Sequence, residues 1–88
     1  MDEYTVLFKV SADKALRNLS EPIQKRIVAA VEMLQSDPRP QGCVKLQGKD
    51  GLWRIRVGKY RVVYNIRDKE LVVLVVRIAH RKDVYKRM

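Results

Sequence analysis

The chain has 88 residues, 47% of them apolar, and a formal net charge of +9. That length holds one domain, residues 1–88, with a modest core, and that apolar share excludes intrinsic disorder. No run of about 18 apolar residues exists to span a membrane, and the acidic opening Met1-Asp2-Glu3 is unlike a secretory signal.

The charge is distributed unevenly. Residues 1–44 hold six basic and six acidic side chains, whereas residues 45–88 hold thirteen basic and four acidic ones. The whole excess therefore lies in the second half, which points to a polyanionic partner: nucleic acid, an acidic protein segment, or both. The lone Cys43 has no partner for an internal disulfide and fits a reducing, cytoplasmic setting.

In chain order, residues 4–10 (YTVLFKV) are β-branched and aromatic and predict a strand. Ser11 offers an N-cap for a short helix carrying Ala15, Leu16 and Leu19 inward. Ser20 caps a second helix, with Pro22 in its first turn. Ile23, Ile27, Val31 and Leu34 form its apolar stripe. The segment SDPRPQG (36–42) ends that helix, because its prolines and glycine cannot continue one. Residues 52–57, 60–67 and 70–79 then predict three strands, joined by two-residue turns at Gly58-Lys59 and Asp68-Lys69. The expected fold is α+β, in the order β-α-α-β-β-β. Its two N-terminal helices pack on one face of a small, mainly antiparallel four-stranded sheet.

Strand alternation turns this order into two faces. One collects Trp53, Ile55, Val57, Tyr60, Val62, Tyr64, Ile66, Leu71, Val73 and Val75 against the helices. The other collects Arg54, Arg56, Arg61 and Arg67 with Val63, Val72, Leu74, Val76, Ile78 and, at its end, His80. Arg56 falls directly opposite Arg61. This register sends Arg77 toward the core face, where it either snorkels out at the sheet end or pairs with an acid.

A cross-strand pair of like charges is unfavourable by up to about 1 kcal/mol unless a counter-charge is present. A phosphate reverses the sign, since guanidinium groups clamp it through charge-assisted, bidentate hydrogen bonds. A competing reading has Asp68 and Glu70 neutralise the cluster. The apolar members of the same face suit a groove for a peptide or a splayed base. The tail adds His80, Arg81, Lys82, Tyr85, Lys86 and Arg87, which can fold back over the basic face. Surrounding cations favour the phenolate of Tyr85, making it a candidate base or a stacking platform, and His80 can exchange protons near neutral pH. Neither metal-ligand spacing nor a Gly-rich phosphate loop is present in the sequence, so no metal and no cofactor is expected. Metal-free strand scission is easiest on RNA, whose 2′-hydroxyl attacks the neighbouring phosphorus.

Residues 45–85 resemble the RelE toxins of the RelE/ParE toxin–antitoxin superfamily. The resemblance rests on Lys45-Leu46-x-Gly48, on Arg54-x-Arg56-x-Gly58-x-Tyr60-Arg61-x-x-Tyr64, and on His80-Arg81 ahead of Tyr85. It implies a metal-independent mRNA endoribonuclease acting in the ribosomal A site. It also implies a cognate antitoxin as partner, with operator DNA reached only through that antitoxin. Arg61, Arg81 and Tyr85 take the catalytic positions, and Arg54, Arg56, His80 and Lys82 the substrate-binding ones. Several relatives carry lysines where this chain has Arg54 and Arg56. Arginine essentially never loses its proton, which moves the base to Tyr85 or His80, with Tyr85 favoured. The alternatives are a ParE-like poison of DNA gyrase that cuts nothing, and an inactive basic domain that binds a partner.

Overall fold

The computed structural model describes residues 3–47 and 51–80. In chain order it holds β1 (Thr5–Phe8), α1 (Val10–Arg17), α2 (Glu21–Met33), β2 (Val44–Lys45), β3 (Leu52–Val57), β4 (Tyr60–Arg67) and β5 (Val72–His80). The strands form one sheet in the order β1-β5-β4-β3-β2, parallel only between β1 and β5. The α+β class, the paired helices and the mainly antiparallel sheet agree with the sequence. The strand count does not: β2 makes a fifth strand, two residues long, with Val44 opposite Arg54 and Lys45 opposite Trp53.

Both helices begin where the chain leaves a fixed anchor. The Lys9 amide donates to the Val75 carbonyl at 2.9 Å, and the Lys9 carbonyl accepts the first helical bond, from the Asp13 amide at 2.9 Å. The β1–β5 ladder thus delivers the chain straight into α1, and Lys9 rather than Ser11 is its N-cap. Ser20 does cap α2 by position, although its hydroxyl makes no capping hydrogen bond. Instead the Gln24 side-chain amide donates to the carbonyls of Leu19 at 2.7 Å and Arg17 at 3.2 Å, tying the end of α1 to the start of α2.

Ile27, Val31 and Leu34 from the α2 region and Ala12 and Leu16 from α1 are buried against Ile55, Val62, Tyr64, Ile66, Val73, Val75 and Ile78 of the sheet. Each large aliphatic side chain so buried contributes about 1.5–3 kcal/mol. Tyr64 is fully buried, and its hydroxyl donates to the Pro38 carbonyl at 2.8 Å, which fastens the segment after α2 beneath the sheet.

Two departures reset the register of β5. The turn after β4 has four residues rather than two: Arg67 pairs with Val72, and Leu71, at φ 55°, lies in the loop instead of the strand. An even loop length leaves side-chain parity unchanged, so Val73 and Val75 still face the helices. Farther along, Val63 pairs with Arg77 while Tyr64 pairs with Val75, so Val76 is the extra residue of a β-bulge. The bulge reverses the faces beyond it. Ile78, expected on the open face, is buried in the core, and His80 stands opposite Tyr60 on the helix side. Arg77, expected toward the core, faces outward beside Val63.

Candidate nucleic-acid interface

The sheet face away from the helices carries a compact grid across its three longest strands. One row reads Arg54, Val63, Arg77 and the next reads Arg56, Arg61, Ala79, in the order β3, β4, β5. Directly opposed residues have Cβ atoms about 4.5–5.5 Å apart. Four guanidinium side chains therefore root within two adjacent rows. The alternation of β3 and β4 was enough to bring Arg54, Arg56 and Arg61 together. Arg77 was missed. Its signal lay in the run Val75-Val76-Arg77-Ile78, where strict alternation would bury a charge and expose an isoleucine.

The four arginines differ in exposure. Arg56 is exposed, Arg54 and Arg77 are half-buried, and Arg61 is only 5% exposed. Arg61 stands on the central strand between Arg56 and Ala79, with neighbours screening it from both sides. Burial of its stem makes Arg61 part of the packing of this face as well as of its charge. Val63, at 3% exposure, is likewise flanked by Arg54 and Arg77 and belongs to this face rather than to the helix-side core. Beside the grid, where β2 stops pairing with β3, a groove of about 380 Å³ is lined by Gln41, Gly42, Val44, Arg54, Ile55 and Arg56. Toward β1 the face turns apolar, with Leu7 opposite Leu74 and Thr5 opposite Val72.

Asp68, one of the two acids that might have neutralised the cluster, is engaged elsewhere. Its carboxylate receives Arg39 through both terminal nitrogens, at 2.8 and 3.3 Å, and the Tyr4 hydroxyl at 2.6 Å. The Arg39 hydrogen bonds, and then that of Tyr4, hold the Asp68 carboxyl below its ordinary value. The Arg39 guanidinium also lies 5.2 Å from the centre of the Trp53 ring. Asp68 thus staples the β4–β5 loop to the start of β1 and to the loop after α2. Neither Arg39 nor Tyr4 had been assigned a role from sequence, since their meeting with Asp68 depends on tertiary structure alone.

His80 does not join the arginines. It packs edge-on against Tyr60, with ring centroids 5.4 Å apart and planes at 79°. Arg81, Lys82 and Tyr85 lie outside the described residues.

Fold and site together define a small basic α+β domain whose open sheet face carries four arginines in two adjacent rows. Residues 3–85 match the family model described as the ParE toxin of the type II toxin–antitoxin system parDE. Toxin RelG of Mycobacterium tuberculosis is 33% identical over 85 residues, spanning 96% of this chain and 98% of RelG. The chain belongs to the RelE family of type II toxin–antitoxin toxins, within the RelE/ParE superfamily. The fold agrees. The RelE–RelB complex from Pyrococcus horikoshii superimposes with a TM-score of 0.80 at 28% identity, over 90% of this chain and 96% of that one. The intact Escherichia coli RelBE complex gives 0.79 at 25% identity, over 88% and 95% respectively.

Proposed function

We propose that this protein is a ribosome-dependent mRNA endoribonuclease, held in check by a cognate antitoxin. The observation that carries the reading is the direct opposition of Arg56 and Arg61 on the face away from the helices, with Arg54 and Arg77 in the adjoining row. Guanidinium groups set this close favour an anion that several of them can engage together, and a phosphodiester backbone supplies one at regular spacing.

In the reaction, a base removes the proton of a 2′-hydroxyl as that oxygen attacks the adjacent phosphorus. The bond to the 5′-oxygen breaks, an acid protonates the departing oxygen, and a 2′,3′-cyclic phosphate remains. Arg61 holds the non-bridging oxygens, whose charge grows toward the five-coordinate transition state, and Arg54 and Arg56 hold the flanking backbone. Arg81 neutralises the scissile phosphate or the leaving oxygen, and Lys82 adds to binding. The base is Tyr85 or His80, with Tyr85 favoured; the packing of His80 against Tyr60 supports that preference. No metal enters this scheme.

The Pyrococcus and E. coli structures are complexes with RelB. By analogy, this chain pairs with an antitoxin segment that is partly acidic and partly apolar, reaches operator DNA only through it, and works in the cytoplasm. A ribosome-programmed cleavage assay tests the reading: wild type cuts the message in the A site, and Arg61→Lys, Arg81→Ala and Tyr85→Phe lose the cut. Intact messages with wild-type protein would sink it. The match to the ParE model favours a second reading, a poison of DNA gyrase. DNA-damage signalling with uncut messages on expression would select that one.

A further inference from the structure

One exposed stripe of α2 carries opposite charges at equal distances from its middle, Lys25 three residues before Val28 and Glu32 three residues after Ala29. Glu21, Lys25, Val28, Ala29 and Glu32 fall on one stripe, beside the stripe that enters the core. They line a shallow groove of about 350 Å³. Val28 is 37% exposed there, a β-branched aliphatic side chain facing water beside a small alanine. Lys25 lies 3.9 Å from the Glu21 carboxylate, with both side chains largely exposed.

We propose that this stripe pairs with the same stripe of a second copy of the chain. Two α2 helices laid antiparallel about a two-fold axis between Val28 and Ala29 bring Lys25 of each opposite Glu32 of the other. The same axis sets each Val28 against the Ala29 of its mate. A residue and its partner then sum to the same number, 25 with 32 and 28 with 29, which is what an isologous interface requires. Small and branched side chains at the centre let the backbones approach, and the charges at the ends fix the register. Location supports the same occupant. A molecule with net charge +9 repels its copies, but every excess charge lies beyond residue 44, and α2 belongs to the neutral half. A helix of 13 residues is about 20 Å long. One such stripe buries less than a standard interface of about 1,600 Å², so the pairing is weak and rises with concentration.

Sedimentation velocity over a concentration series tests this on wild type, Lys25→Glu, Glu32→Lys and the double exchange. Both substituted positions are solvent-facing, and circular dichroism checks that each variant is folded. Wild type should shift toward dimer as concentration rises, both single exchanges should stay monomeric, and the double exchange should recover the shift. Four results would overturn the proposal: a monomeric wild type throughout, a dimer indifferent to the single exchanges, no recovery in the double exchange, or occupation of the stripe only by an added antitoxin. RNA cleavage plays no part in the readout, so the test stands apart from the proposed activity.

Discussion

Arg61 and Arg56 face each other across two strands, yet the same truncation acts differently on them. Arg61 is nearly buried, and its stem packs between neighbours on both sides. Arg61→Ala should lower stability by about 2 kcal/mol, in the range of a buried side chain lost without repacking, and should also abolish cleavage. Arg61→Lys keeps the stem and the charge but loses the planar fork, so it should recover most of the stability and little of the activity. Arg56 is exposed, so Arg56→Ala should move stability by no more than about 0.5 kcal/mol while weakening RNA binding. Thermal unfolding beside ribosome-programmed cleavage separates these outcomes. Equal stability losses at the two positions would show that the packing argument is wrong. Asp68 allows a prediction in pH. Its carboxyl is held below the ordinary 3.8 by Arg39 and then Tyr4. A carboxyl depressed in the folded state stabilises the fold fully above its unfolded pKa and loses that contribution as pH falls through the folded one. The effect is therefore confined to acid, below about pH 4. Asp68→Asn should flatten the acid limb of the stability curve, read from urea unfolding across acid to neutral pH, and an unchanged acid limb would refute the staple.

At the scale of elements, turn chemistry decides which strand faces which. Gly58 opens a two-residue turn at φ 60° with Val57 opposite Tyr60, and Lys59 does not adopt positive φ, which is the type II′ pattern. Gly51 precedes β3 at φ 73°. A Cβ on Gly58 would sit 3.4 Å from the end of the Arg26 guanidinium, an exposed and movable group. On Gly51 it would meet the Asn65 amide nitrogen at 2.6 Å, and that nitrogen donates to the Gly51 carbonyl at 3.0 Å. Both alanine variants pay the left-handed penalty of roughly 1–2 kcal/mol, but only Gly51→Ala also displaces a hydrogen-bonded side chain. Denaturant midpoints should therefore fall further for Gly51→Ala than for Gly58→Ala; the reverse order would contradict the geometry. The Gly58-Lys59 turn is also why so much of the sheet was legible in sequence. Two residues with glycine first fix the β3–β4 register, and alternation then places Arg54, Arg56 and Arg61 on one face. Beyond Val75 the β5 register was marked only by the misfit of Arg77 and Ile78 to strict alternation, because the bulge adds one residue where no glycine or proline signals it. β2 escaped notice because two residues carry no periodicity. The Asp68 staple joins residues 64 and 29 positions apart, beyond the reach of any local pattern.

For the molecule as a whole, the separation of charge is the property that the fold converts into a surface. The neutral first half supplies β1 and both helices, while the basic second half supplies the three strands whose outward rows hold Arg54, Arg56, Arg61 and Arg77. On the proposed function this face binds single-stranded RNA by displacing counterions, and the logarithm of affinity should then fall with the logarithm of salt by about 0.7 for each phosphate engaged. Four guanidinium groups acting together predict a slope of roughly −3 on a short single-stranded RNA. Arg56→Ala removes one contact, so the slope should become shallower by about 0.7. Lys69 is equally exposed but sits in the β4–β5 loop, away from the grid, and Lys69→Ala should leave the slope unchanged. Fluorescence anisotropy titrations over a range of salt concentrations measure all three. Equal slope changes at Arg56 and Lys69 would mean that diffuse net charge attracts the RNA, and the arginine rows would then have no special claim to it.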